Sequence, residues 1–366
     1  MTTIIIGAGA GGLACAVRLK QLNPGLTVTV LERLDIPAKK LYATGNGRCN
    51  LSNTAADGYK TVIDFFGSIG LMTRTDGEGR IYPYSGRSSD VVDILTEKCR
   101  ELGVKVITDC TVKSVGSDLK IITDRGDYYA DAVVMACGGK AQKNLGSNGS
   151  GFALLEKLGH TVTPLSPALV QLTSPSKYPK LLKGHRVKCD MKILIDNKTV
   201  CSEYGEVLFT DYGLSGIVTM NLSYAVSRNF SADCPEKCHA VLDLVPEMST
   251  SELAEYLHKF KSLKGIIGCQ LASIIEKQAE GDIEKAAKYT KNWKLIISGT
   301  KGFDFAQVTM GGARADEFEG YESKLVKNLY ACGEVLDKQF PCGGFNLNHA
   351  WLSGIKAAER INSKQR

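Results

Sequence analysis

Six residues near the start of the chain, Gly7-Ala8-Gly9-Ala10-Gly11-Gly12, and a carboxylate twenty positions after the last of them, Glu32, have the types and spacing to hold a dinucleotide. Each part has a physical task. Gly7 permits a tight turn. Gly9 lets backbone N–H groups, those of Ala10 and Gly11 among them, approach a pyrophosphate resting on a helix N-terminus. Gly12 lets helix and strand pack closely. Glu32 can accept both hydroxyls of an adenosine ribose, with Arg33 beside it. As an anion it disfavours a 2′-phosphate at the same place.

The elements needed to position these residues are legible around them. Thr3 to Ile6 reads as a short buried strand, and apolar periodicity then runs to about Gln21. Thr27 to Leu31 is a second strand, so the glycines sit between strand and helix as a dinucleotide-binding βαβ unit requires. The fingerprint alone does not choose between FAD and NAD; the far end of the chain does. An apolar strand within Asn328–Asp337 ends at Gly333-Glu334, where a carboxylate can meet a ribityl chain. Pro341-Cys342-Gly343-Gly344-Phe345-Asn346 then opens a helix reaching about Ile361. Two glycines before a helix make a second anion site, suited to the flavin N1/C2=O edge that turns negative on reduction.

Between these ends, Val91 to Leu102 reads as an amphipathic helix and Val104 to Ile107 as a strand. Cys110 to Val115 is another strand, and Ile121 to Ala130 a hairpin turning at Asp124–Asp127. Ala132 to Cys137 is a further apolar strand. This order is similar to that of flavoproteins whose adenine is touched by a backbone like that around Val112 and whose second crossing carries an Ala-x-Gly turn, here Ala136-Cys137-Gly138.

Composition narrows the classes. At about 150 residues per domain, 366 residues suggest two or three domains. With 43% hydrophobic and 23% charged residues the chain can bury a sizeable core, which excludes a disordered or small disulfide-framed protein. No apolar run approaches the ~18–20 residues of a membrane span. A net charge of +6 argues little for nucleic acid. Twelve scattered cysteines read as reduced thiols. Cys234, Cys238 and His239 fall short of the about four ligands of a zinc site, so no metal is expected. Met1 leads straight into a strand without room for a cleaved signal, and the expected location is cytoplasmic.

At this point the chain resembles a known group, the aminoacetone-oxidase-like (BaiN-type) FAD-binding flavoproteins of the glutathione-reductase-like superfamily. The resemblance covers most of the chain. It is carried by Ala38–Asn53, Gly79–Pro83, Ala136–Gly151, Leu158–Val170, Val207–Gly216, Val308–Ala313 and Glu322–Asp337. It implies an α/β fold: a Rossmann-type FAD-binding domain built from both chain ends, with an inserted β-barrel-like domain and a small helical subdomain. The expected boundaries are 1–168 and 304–366 for the FAD domain, 169–248 for the barrel-like part and 249–303 for the helical part. The sequence agrees in being strand-like and turn-rich from about Ala168 to Val245. Helical periodicity then begins at a capping-box pattern, Ser249 with Glu252, and continues to about Ile297.

The resemblance also implies noncovalent FAD, with Gly45, Asn46, Arg48, Cys49 and Asn50 along the flavin or its phosphates. Lys40, Asp337, Gly344, Phe345, Asn346 and Leu347 belong to the same cofactor set. No second cysteine follows Cys49 closely, so dithiol chemistry is not expected there. The chain departs from the family at Asp211, where His is common, at Gln171, where Pro is common, and at Asn348-His349, where Gln-Trp is common. These positions are expected to border the substrate space.

Two directions of hydride transfer through flavin N5 follow. One is NAD(P)H-dependent reduction of an activated C=C bond in a conjugated ketone, steroid- or bile-acid-like, which the reading favours. The other is oxidation of a small amine or amino ketone by O₂. No second strand–G-x-G-x-x-G–helix unit is present, so NAD(P)H is expected as a transient hydride donor only. Tyr212 and His349 are the candidate catalytic acids or bases, with Tyr82 behind them. His185, in a basic stretch, is a candidate aid to an acidic substrate. A tRNA-modifying enzyme and a redox-sensing flavoprotein are the alternatives of another class.

Overall fold

The computed structural model describes residues 1–230, 234 and 237–364. The chain divides into two compact units, Met1–Leu165 with Val308–Arg366, and Ser166–Gln307.

In the first unit the short apolar runs become a sheet of seven strands. Its order is Phe318–Glu319, Glu322–Ser323, Leu329–Ala331, Ala132–Met135, Thr2–Ile6, Thr27–Leu31, Lys105–Ile107. The last five are parallel, in the registers Val134 with Tyr330, Ile4 with Val133, Thr3 with Val28 and Val30 with Val106. A parallel sheet is buried on both faces, and these strands alternate accordingly. Ile5, Val28, Val30 and Val134 join the core beneath the first helix, Ala10–Leu22, and the last helix, Phe345–Ser363. Ile4, Ile6, Leu31, Val133 and Met135 join a second core with Phe152 and Leu155. A three-stranded meander, Val112–Val115, Lys120–Thr123 and Gly126–Tyr129, adds Val115 and Ile121 to that second core.

The inserted unit has its own seven-stranded sheet and its own core. The order is Trp293–Ile296, Cys238–Asp243, Arg186–Ile195, Lys198–Phe209, Gly213–Ser215, Leu172–Thr173, Gly299–Thr300, with antiparallel pairing throughout. Its two outermost strands are consecutive in the chain, separated by Ile297 and Ser298, so the sheet curls into a barrel-like wall.

Three elements differ from the sequence reading, one of them the short helix Lys177–Leu181 within the strand-like stretch. Ile217–Asn229 is a helix inside the stretch read as strand-like and turn-rich; Val218, Leu222, Ala225 and Val226 fall on one buried stripe. Trp293–Ile296 is a strand, not the end of the helical part. Its residues alternate buried and exposed, and Trp293 pairs with Leu242. The helical part proper is Thr250–Phe260, Cys269–Gln278 and Ile283–Lys291. It begins with the capping box in place: Glu252 N–H donates to Ser249 Oγ at 3.2 Å and Ser249 N–H to Glu252 Oε2 at 2.8 Å. Among the described residues no helix is long and apolar enough to cross a membrane.

Candidate functional site

The N-terminal glycines are distinguished by what surrounds them. A Cβ on Gly7, whose φ is +108°, would lie 2.5 Å from the Ala136 carbonyl oxygen, and one on Gly12 would lie 2.0 Å from the Gly7 carbonyl oxygen. These two are needed for backbone packing between the turn, the first helix and the Ala132–Met135 strand. A Cβ on Gly9 would meet nothing within 4 Å. Gly9 caps the first helix, which has no side-chain cap and no acidic residue in its first turn. The leading amides of a helix have no intrahelical acceptor, and its N-terminal end is partly positive. Open space before these amides fits a pyrophosphate.

Glu32 follows the second strand and is held by its own backbone surroundings. Ala8 N–H donates to Oε2 at 2.9 Å and Leu34 N–H to Oε1 at 2.8 Å. Each carboxylate oxygen retains a lone pair for a hydroxyl. Arg33 is turned to the Gly146 carbonyl oxygen at 3.0 Å. Val112 is half-buried in the meander, paired with Thr123.

A second carboxylate, Glu334, stands after Gly333. Thr309 N–H donates to its Oε1 at 2.8 Å, and the Lys40 ammonium lies 3.2 Å from Oε2. A Cβ on Gly139 would come within 2.5 Å of that carboxylate and 2.4 Å of Thr309 Oγ1. Thr309 Oγ1 in turn accepts from the amides of Lys140 and Ala141 at 2.7 and 3.1 Å. Thr309 and Gly139 are site residues that the sequence reading did not single out. The available signal was the Val308–Ala313 segment and the glycine pair after the Ala132–Met135 strand. Asp337 is used within the fold, accepting from Thr163 Oγ1 at 2.7 Å and Gln339 Nε2 at 2.5 Å.

The segment from Thr44 is strained in the way ligand clamps often are. Asn46 and Cys49, neither of them glycine, have φ of 55°. Arg48 is exposed and stacks on Tyr82 at 4.9 Å. Cys49 is buried, and burial pushes its thiol up to about 12 against the smaller opposing effect of Thr44. Cys137 is likewise pushed to about 12, by burial and then by the Glu32 charge. Such thiols stay protonated at neutral pH, and among the described residues no two cysteines are joined in a disulfide. Asn50 Oδ1 is buried without a hydrogen-bond partner. A Cβ on Gly344 would lie 2.7 Å from it and 2.4 Å from the Ser52 carbonyl oxygen. The start of the last helix is therefore pressed against the Asn50–Asn53 backbone.

Side chains fix that approach. Asn53 Nδ2 donates to the Gly343 carbonyl oxygen at 3.1 Å, and Ser52 Oγ to Asn348 Oδ1 at 2.7 Å. The Asn346 amide closes its own loop, donating to the Phe340 carbonyl oxygen at 2.9 Å. Phe345 and Leu347 are half-buried in the first turn of the helix. The unpartnered Asn50 oxygen and the uncapped helix start fit a polar, partly anionic ring edge.

His349 lies one turn on and is 8% exposed. Its Nε2 is buried without a partner, and the Phe340 ring is 5.2 Å away. Burial, with Lys338 adding to it, lowers its pKa to about 4. It is a neutral imidazole at neutral pH, not an imidazolium acid. Tyr82 is buried under Arg48. Tyr212 belongs to the inserted unit, where its carbonyl oxygen accepts from Ser174 N–H at 2.9 Å. His185 Nδ1 lies 3.1 Å from the Leu182 carbonyl oxygen, and its neighbour Arg186 pairs with Glu206. Among the described residues no group of three or more His, Cys, Asp and Glu could hold a metal ion.

Comparison with known proteins bears on this arrangement. A family model described as the HI0933-like protein Rossmann domain matches residues 58–360, and one described as a NAD(P)-binding Rossmann-like domain matches residues 5–52. A 3-dehydro-bile acid delta(4,6)-reductase of Clostridium scindens is 35% identical, over 97% of this chain and 98% of its own length. A ribosomal RNA dihydrouridine synthase of Haemophilus influenzae is 26% identical over 98% of both chains. Among solved structures, a 3-ketosteroid-delta4-(5alpha)-dehydrogenase from Rhodococcus jostii RHA1 superposes with a TM-score of 0.54 at 14% identity, over 98% of this chain and 96% of that one.

Proposed function

The chain belongs to the HI0933-like Rossmann family and is an FAD-dependent oxidoreductase; from that premise we propose that it is a NAD(P)H-dependent reductase of a C=C bond conjugated to a carbonyl, in a steroid- or bile-acid-like ketone. The observation that carries this reading is the 35% identity, along nearly the whole chain, to the delta(4,6)-reductase. The dihydrouridine synthase is consistent with the same chemistry, because dihydrouridine is uridine with a conjugated C=C bond saturated.

When bound, FAD supplies hydride transfer through its N5. The chain's residues do the rest. The amides of Gly9, Ala10, Gly11 and Gly12 bind the pyrophosphate, Glu32 the adenosine ribose, and Arg33 and Val112 the adenine side. Ala136, Cys137 and Gly138 line the turn beside it. Gly333, Glu334, Lys40 and Asp337 serve the ribityl stretch. Gly45, Asn46, Arg48, Cys49, Asn50, Gly344, Phe345, Asn346 and Leu347 hold the ring. Attachment is noncovalent, a reading supported by the protonated state of the Cys49 and Cys137 thiols. Tyr212 is the proposed source of the proton that completes saturation, and burial keeps His349 a neutral imidazole rather than an imidazolium acid. His349 instead keeps its surroundings uncharged.

Anaerobic stopped-flow mixing tests the reading. NADH or NADPH should bleach the flavin, and a 3-oxo-4-ene steroid should restore its colour. Tyr212→Phe should slow the second step. Bleaching by a small amine and recovery with O₂ alone, with no recovery by the enone, would establish an oxidase instead. Recovery only with uridine-bearing ribosomal RNA would move the protein to RNA modification.

A further inference from the structure

We infer that the outer face of one β-hairpin in the cofactor unit docks the adenosine half of the hydride donor and selects NADPH over NADH, with Arg74 meeting the 2′-phosphate. The inference rests on the reductase reading and deepens it by naming the donor.

The face follows from strand register. Thr73–Thr75 and Arg80–Pro83 pair antiparallel. On its other side Arg80–Pro83 pairs with Ser52–Asn53, the backbone pressed against the start of the last helix. Arg74 stands opposite Tyr82. Tyr84 N–H donates to the Met72 carbonyl oxygen at 2.8 Å, which sets Met72 opposite Tyr84. Side chains two positions apart along a strand share a face. Met72, Arg74 and Asp76 therefore share one with Tyr84, Tyr82 and Arg80, while Ile81 and Pro83 point the other way and are buried.

Three cross-strand pairs divide this face. At one end Arg80 is neutralised by Asp76 at 2.8 Å and Glu78 at 2.9 Å. In the middle Arg48 lies over the Tyr82 ring at 4.9 Å. Tyr82 in turn lies against Gly45, where a Cβ would be 3.6 Å from its Cε1. At the other end the Arg74 guanidinium is 5.8 Å from the centre of the Tyr84 ring. Among the described residues neither Arg48 nor Arg74 has a carboxylate within 4 Å. Met72 is 73% exposed and Tyr84 63%, side by side.

That combination fits one kind of ligand. A thioether and a phenol ring left in water offer a flat apolar surface on which a purine stacks. The guanidinium beside them is a planar fork of donors suited to a phosphate monoester. An arginine beside an adenosine accommodates a 2′-phosphate, where a carboxylate such as Glu32 disfavours one. NADPH carries that monoester, and NADH has a hydroxyl in its place. The Arg48 charge continues the face toward Gly45. A dinucleotide with its adenine on Tyr84 thus runs its pyrophosphate toward the segment assigned to the flavin ring.

Calorimetry on the holoenzyme tests the face without turnover. 2′,5′-ADP should bind about tenfold more tightly than 5′-AMP. Arg74→Gln should remove that difference, and Arg74→Lys should keep part of it. Tyr84→Ser should weaken both nucleotides alike, because it removes the stacking surface and leaves the phosphate contact. Anaerobic stopped-flow supplies the second readout. NADPH should bleach the flavin with a kcat/KM about tenfold above that of NADH, and Arg74→Gln should erase the preference through KM. Wild-type affinities for 2′,5′-ADP and 5′-AMP within twofold of each other, or a preference retained by Arg74→Gln, overturn the inference. Displacement of 5′-AMP by oligouridylate, with no advantage for 2′,5′-ADP, would make the face an RNA surface and overturn it as well. If neither nicotinamide bleaches the flavin, the reductase reading fails, and the calorimetric comparison still decides whether this face holds a 2′-phosphate.

Discussion

At the scale of single residues, the N-terminal glycines separate packing from binding. Gly9→Ala adds a methyl group to open space, so the apoprotein should keep its melting temperature while FAD occupancy falls at least tenfold. Gly12→Ala drives a methyl group to 2.0 Å from the Gly7 carbonyl oxygen, so it should lose both. Thermal melts of apo- and holoprotein with flavin absorbance distinguish the two. Glu32→Ala removes the acceptor of two amides and, on the proposed role, of the ribose hydroxyls. It should lower FAD retention and destabilise the apoprotein by about 1–3 kcal/mol, and full flavin occupancy would remove Glu32 from cofactor binding.

His349 gives a pH dependence with a definite sign. Its folded pKa, about 4, is depressed below the unfolded value of about 6.5. Between these values the unfolded chain binds a proton that the folded chain excludes. The contribution is complete above about pH 6.5 and is lost as pH falls toward 4, by up to about 3 kcal/mol. Urea midpoints at pH 7 and pH 4.5 should therefore diverge less in His349→Gln than in the wild type.

At the scale of elements, the crossing of the first and last helices sets the cofactor domain. A Cβ on Gly354 would lie 2.2 Å from the Gly11 carbonyl oxygen, and one on Gly11 would lie 3.1 Å from Cys332 Sγ and from the Ala350 carbonyl oxygen. Ser353 Oγ accepts from Gly333 N–H at 2.8 Å, tying the last helix to the Glu334 turn. Gly354→Ala should separate the helices, cost about 1–3 kcal/mol and lower the melting temperature by several degrees. Flavin occupancy should fall with it, although Gly354 lies almost three turns beyond Gly344. An unchanged melting temperature would mean that the helices can part without strain. In the inserted unit, the strand-like reading failed at Ile217–Asn229, whose buried stripe is helical, and the helical periodicity was carried too far at Trp293–Ile296, where a four-residue strand follows a helix without a glycine.

At the scale of the molecule, the cofactor unit is discontinuous. The strand that extends its sheet beyond Ala132–Met135 is Leu329–Ala331, joined through Val133 with Leu329 and Met135 with Ala331. A chain ending at Leu165 would keep the whole glycine fingerprint but lose this strand, the last helix and Glu334. Such a truncation should bind no FAD when refolded with excess cofactor, measured by flavin absorbance after gel filtration. Flavin retention by it would show that the N-terminal βαβ unit suffices.

The sequence by itself determined what depends on neighbours along the chain. A glycine turn between strand and helix, an acid at the end of the next strand and a capping box are local patterns, and Gly7–Gly12, Glu32 and Ser249 with Glu252 were legible as such. The C-terminal Gly333-Glu334 and Gly343-Gly344 were legible for the same reason. Only the tertiary structure decided which distant groups face these residues. Thr309 and Gly139 reach Glu334 across 25 and 195 positions, Asn50 meets Gly344, and Lys301 lies over Tyr212. No periodicity encodes such meetings, because strand order and helix crossing bring those segments together and every intervening residue is free to vary without changing the local pattern. Burial has the same origin: nothing local to His349 sets its protonation, whereas its enclosure near Phe340 and Lys338 does.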